Sequence, residues 1–161
     1  MQKPLKVVVL TGLVLGAVLG MVGTMVSSAV LRSELWAIDS TALVIATVVL
    51  SLDFFRQGRD SVAAGFLVYA IGEAVMLGGT ASPLEASVPA FAAGTALWAA
   101  GLALTSFPPA MPLWSRAAGA IAAILFAFTS LMHGDLAASG VMVLGAVMLF
   151  CWAAWLEHGR D

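Results

Sequence analysis

The chain has 161 residues, of which 61% are hydrophobic and only 10% charged, with a net charge of −2. A mean hydropathy of +1.04 excludes an ordinary soluble domain, because a fold this apolar would lack the polar surface to cover itself. With no basic aromatic patch, nucleic-acid binding is excluded as well. What remains is a polytopic membrane protein whose first partner is the lipid bilayer.

Runs of roughly 20 apolar residues, the length that crosses a hydrocarbon core, predict six transmembrane helices at about 5–31, 38–55, 61–79, 90–107, 116–132 and 136–156. Residues 1–161 then form one all-α membrane bundle with no soluble domain or tail outside it. The first span follows Lys3 and Lys6, and Ser27-Ser28-Ala29 offers a small-residue cleavage site. Its apolar stretch is too long for a secretory signal, so it is expected to be retained as a helix. Within it Gly12, Gly16 and Gly20 recur every fourth residue, a glycine zipper where another helix approaches closely. That helix belongs either to the same bundle or to a partner, whether a second copy or another subunit of a larger membrane complex.

The second span carries Asp39 and Asp53 at its two ends, both expected at the membrane interface, with Arg56 placed to pair with Asp53. The third contains Glu73 and the glycines Gly65, Gly72 and Gly79. A link with Pro83 and Pro89 leads into the fourth, which Pro108-Pro109 stops. The fifth and sixth are separated by His133-Gly134-Asp135. The third and sixth spans share Ala-Val-Met-Leu, at 74–77 and 146–149, after similar Gly- and Ala-rich openings. A weak 3+3 inverted repeat, the arrangement that builds transporter sites between two halves, and chance similarity in low-complexity apolar sequence both account for this.

Alternating the spans tests the count, since basic residues collect on the cytoplasmic side. With both termini inside, Lys3, Lys6, Arg56, Arg59, Arg116 and Arg160 all fall there, and Arg32 alone lies outside. The expected location is a prokaryotic cytoplasmic (inner) membrane, N-in and C-in.

Glu73 is the most informative residue. It lies about three residues past the centre of its span, roughly 4–5 Å at the helical rise, and ionisable groups at such depth are costly and default to functional candidates. Tyr69 is one turn away, and Trp98, Thr47 and Thr95 fall near the middle of neighbouring spans, so these five are predicted to line one ligand or proton site. No Lys or Arg matches that depth, and a protonated or water-bonded Glu73 is therefore expected. The competing structural reading is a neutral acid hydrogen-bonded across helices to Tyr69, a threonine or a backbone carbonyl.

Met21, Met25, Met76, Met132, His133 and Met142 project into one half of the bundle, and thioether with imidazole suits Cu(I). Methionine is equally the adaptable filler of apolar cores, and without a Met-x-x-Met or clustered histidine motif no metal or other cofactor is assigned. Lone Cys151 cannot form an intramolecular disulfide. The chain carries no activated-serine setting, zinc-protease motif, P-loop or dinucleotide fingerprint, so no enzyme activity is expected. The reading is a transporter-like protein or membrane substrate-binding subunit that binds or moves a small solute, proton or cation around Glu73. The alternative is a noncatalytic accessory or assembly subunit of a larger membrane complex.

Overall fold

A serine cap, more than hydropathy, sets where the first helix gives way to the second. The computed structural model describes residues 1–131 and 139–158. Its helices are α1 (Lys3–Met25), α2 (Ala29–Arg56), α3 (Asp60–Thr80), α4 (Leu84–Ser106), α5 (Leu113–Leu131) and α6 (Ser139–His158). Val26 turns extended after α1, and the Leu31 N–H donates to Ser28 Oγ at 3.3 Å, so Ser28 caps a new helix. The first helix therefore ends six residues before the expected position, and the second starts nine residues earlier. Arg32, Ser33 and Glu34, which read as a polar loop, occupy the opening turns of α2. Likewise α4 starts at Leu84 behind an extended Pro83, with Pro89 inside the helix rather than before it.

Five helices, α1 to α5, are long and apolar enough to cross a membrane. The remaining helix, α6, has 20 residues and an apolar stretch from Gly145 to Glu157. Val7, Val14, Val18, Ile45, Leu67 and Ile124 are among the large apolar side chains left exposed on the outside of the bundle, which is where lipid would solvate them. The result is an all-helical bundle with the composition of an integral membrane protein.

Each helix packs on its neighbours in the chain, and α6 returns to α1, closing a ring. One end, here the basic end, gathers Lys6 against Glu157 at 3.3 Å and Arg59 Nη1 donating to the Ala110 carbonyl at 3.1 Å. Arg116 lies there too, its Nε and Nη2 donating to the Ser106 and Phe107 carbonyls at 2.8 and 2.7 Å, where they satisfy the frayed C-terminus of α4. Arg116→Ala is expected to cost about 1 kcal/mol of stability by leaving those carbonyls unpaired. Thermal unfolding in detergent measures it, with Arg116→Lys recovering only part because lysine lacks the fork. The opposite end carries Arg32 and is tied by Ser33 Oγ donating to the Thr80 carbonyl at 2.6 Å.

Small residues let the backbones meet. The α1 ridge packs on α2: a Cβ on Gly12 would lie 2.8 Å from the Ala42 carbonyl oxygen, and one on Gly16 would strike Leu43. The glycines of α3 face glycines of α4, Gly65 opposite Gly101 and Gly72 opposite Gly94, each with a facing backbone oxygen under 3.0 Å from the missing Cβ. Inside the ring runs a continuous series of aromatic contacts: Phe126 on Trp98, Trp98 stacked on Tyr69, then Trp152, Phe66, Phe54 and Trp155. These rings fill the centre toward the basic end, their centroids 4.8–5.9 Å apart, the spacing of favourable edge and offset-stacked pairs.

A buried carboxyl pair as the candidate functional site

Glu73 lies on the inward face of α3, a helix apolar enough to be held in the bundle by its neighbours, and only 1% of it is exposed. The facing residue on α2 is Asp39, 6% exposed. This corrects the expectation that Asp39 is interfacial. Because α2 starts at Ala29, Asp39 lies ten residues inside it, roughly 15 Å at the helical rise, on the same buried stripe as Ser40, Leu43 and Thr47.

The two acids line one enclosed cavity of about 10 Å³ with Trp36, Ser40, Met76, Thr80, Phe91 and Trp98. They are close enough to act on each other electrostatically, and Ser40 is the hydrogen-bonding neighbour of Glu73. Asp39 and Trp98 also form the wall of a second cavity of about 20 Å³, lined further by Gly20, Met21, Leu43 and Tyr69. Asp39 Oδ1, Glu73 Oε1 and Trp98 Nε1 are buried without a hydrogen-bond partner from the protein. Two acceptors and one donor, all from residues on one cavity wall, are the complement of a single water. Such a water needs about 10–15 Å³ and typically makes about three hydrogen bonds.

The predicted residues divide. Glu73 and Trp98 share the small cavity, and Tyr69 stacks flat on Trp98, centroids 5.3 Å apart and planes 4° from parallel. Thr47 and Thr95 are buried but line neither cavity. Their hydroxyls donate back to their own helices, to the Leu43 carbonyl at 2.6 Å and the Phe91 carbonyl at 2.7 Å, which consumes the donor a ligand would need. Asp39, Ser40 and Trp36 belong to the site and were not predicted in it. Asp39 is four positions before Leu43 and eight before Thr47, so the inward stripe of α2 was readable once the helix start was known.

Of the methionines considered for a metal, Met76 is buried beside Glu73 and Met21 lines the second cavity, whereas Met25 is exposed. Met132, His133 and the Met142 side chain lie outside the described residues. Among the described residues no group of three or more His, Cys, Asp or Glu is placed to hold a metal ion.

A vestibule of about 100 Å³ lies beyond the carboxyl cavity at the Arg32 end, lined by Arg32, Ser33, Trp36, Thr80, Ser87 and Phe91 among others. Trp36 lines both, along with Thr80 and Phe91. Its Nε1 donates to the Gly20 carbonyl at 3.4 Å, its ring meets Phe91 edge-on at 5.6 Å, and the Arg32 guanidinium lies 5.8 Å from its centroid.

Comparison of the chain with protein-family models, with curated proteins and with solved structures finds no match, so the reading of this site rests on its own geometry.

Proposed function

We propose that this chain is a small integral membrane protein that binds a proton at the Asp39–Glu73 pair and relays it as part of proton-linked movement across the bilayer. The observation that carries the reading is that two carboxyl oxygens and one indole N–H, all buried without a protein partner, belong to residues that line one cavity the size of one water. Two bare carboxylates there would each cost several kcal/mol, because no Lys, Arg or His among the described residues lines either cavity. A proton held by the pair removes one charge, and a bridging water offers that proton a path between the oxygens.

The chemistry favours a proton over a metal cation. A hard cation asks for about six oxygen ligands. The cavity lining offers two carboxyls and the hydroxyls of Ser40 and Thr80, the latter already turned to the Leu77 carbonyl, while the unpartnered Trp98 N–H beside them is a donor that suits a water and not a cation. In this closed conformation the cavity admits no organic solute, so any co-transported molecule requires the bundle to open. Basic residues gathered at one end support a cytoplasmic membrane with that end inside.

The test is purified protein in liposomes carrying a pH-sensitive dye, given an inward pH gradient with a potassium ionophore to balance charge. Proton uptake above protein-free vesicles, unchanged when sodium replaces potassium-free choline outside, is the expected result. Uptake equal to the protein-free control would overturn the relay and leave the accessory-subunit reading. Uptake that appears only with sodium would replace the proton by a metal cation.

A further inference from the structure

We propose that the carboxyl pair is loaded from the Arg32 end alone, with Trp36 braced on Phe91 as its gate. This inference rests on the buried pair described above and concerns how that site is reached.

The vestibule and the carboxyl cavity share the residues Trp36, Thr80 and Phe91. One layer of side chains therefore stands between Glu73 and about 100 Å³ of space bordered by Arg32, Ser33 and Ser87 as well as by apolar side chains. Trp36 is the large element of that layer. It is anchored at three points of different strength: a long hydrogen bond to Gly20 of α1, an edge-to-face contact with Phe91 of α4, and the Arg32 cation on α2. On α1 the ring lies where a Cβ at Gly23 would be, so Gly23 makes the room it occupies. Trp36 is only partly buried although Phe91 belongs to the core, and a long hydrogen bond with one ring contact is a light latch.

The route toward the basic end is different in kind. Below Glu73 come Tyr69, stacked on Trp98, and then Phe66, Trp152, Phe54 and Trp155 in mutual contact. Phe66 is seven residues from Glu73 along α3, roughly 10 Å at the helical rise. Phe54, Phe66 and Trp152 are fully buried. The second small cavity is lined by Tyr69 and Leu149 but by none of Phe66, Trp152, Phe54 and Trp155. Opening that side requires several packed rings to move together, whereas opening the Arg32 side requires one.

Among the described residues, the charged and titratable groups that face the pair are Tyr69 on α3 and, at the mouth, Arg32 on α2, and the walls contributed by α1, α4 and α6 to the two cavities carry none. A fixed cation at the entrance disfavours metal cations and leaves water or a neutral or anionic buffer as the proton carrier.

The experiment is carbodiimide labelling of protein held in oriented liposomes, using a water-soluble, membrane-impermeant reagent, with the adducts located by peptide mass spectrometry. Wild-type Glu73 is expected to be modified from the Arg32 side and not from the basic side. Trp36→Ala should accelerate that modification by about tenfold, the population shift expected when an edge-to-face ring contact no longer holds the closed state. Trp152→Ala, at the sealed side, should change it less than about twofold by the same reasoning. Should Trp36→Ala fail to fold, Phe91→Leu removes the brace and keeps the indole, and the side preference of the wild-type protein stands as an independent readout. Labelling from the basic side, or from neither side, overturns the inference. One-sided labelling in protein that moves no protons leaves the gate standing and removes the relay; proton uptake with two-sided labelling does the reverse.

Discussion

Glu73→Gln and Asp39→Asn are each expected to stop proton uptake while leaving the bundle more resistant to heat than the natural protein. The two effects have one cause. Each acid is buried with an oxygen that no protein group satisfies, and an amide of the same shape cannot ionise and brings an N–H₂ donor to the orphan oxygen of its neighbour. One new hydrogen bond between buried groups contributes about 1 kcal/mol, so the detergent unfolding midpoint should rise, and the double variant should gain less than the sum because each needs the other's oxygen. A relay that loses its proton-holding group loses on the order of a hundredfold or more in rate. A variant with full uptake would remove that residue from the relay. A variant that unfolds would instead make the acid a structural element that the bundle needs. Stability given up at a functional site is a common natural trade.

The second large effect is expected at the α3–α4 seam. A Cβ placed on Gly101 lies 2.7 Å from the Gly65 carbonyl oxygen and 2.9 Å from the Tyr69 amide nitrogen. Both neighbours are backbone and cannot swing aside as a side-chain tip can. Gly101→Ala should therefore cost about 3 kcal/mol, the upper part of the range for overpacking, and should disturb the Tyr69–Trp98 stack that borders the carboxyl site. Gly78→Ala is the matched control: nothing lies within 4 Å of the added methyl, and helix propensity should leave it neutral or stabilised by up to about 1 kcal/mol. Equal behaviour of the two in detergent unfolding would mean that α3 and α4 are not held at this distance.

Much of the architecture was legible because lipid-length apolar runs and proline stops are strong signals, and Glu73 stood out against them. Helix ends were not. The stretch at 26–28 has no glycine or proline, so the break between α1 and α2 was written only in the serine cap, while Arg32 and Glu34 resembled loop residues when they are the polar first turns of a 28-residue helix. That one misplacement hid Asp39, since a residue taken as second in its helix reads as solvated, whereas the same residue two to three turns in is buried. Thr47 and Thr95 were chosen for depth and polarity. Depth along a helix does not say whether a hydroxyl is spent on the carbonyl one turn back, and both are. The partner of the glycine ridge was equally invisible, because the pattern states that something approaches closely and not what; α2 does so here.

The packed rings between Glu73 and the basic end also bear on how an electric field divides inside this molecule. Voltage falls where water is excluded, so in a membrane most of it would drop across the aromatic fill and little across the single layer at Trp36. A charge on the carboxyl pair would then be electrically near the Arg32 side although it is deep in distance. Moving it onward would encounter most of the field, worth about 2.3 kcal/mol per elementary charge per 100 mV. Loading would be almost insensitive to membrane potential, and release toward the basic end would carry nearly all of the voltage dependence.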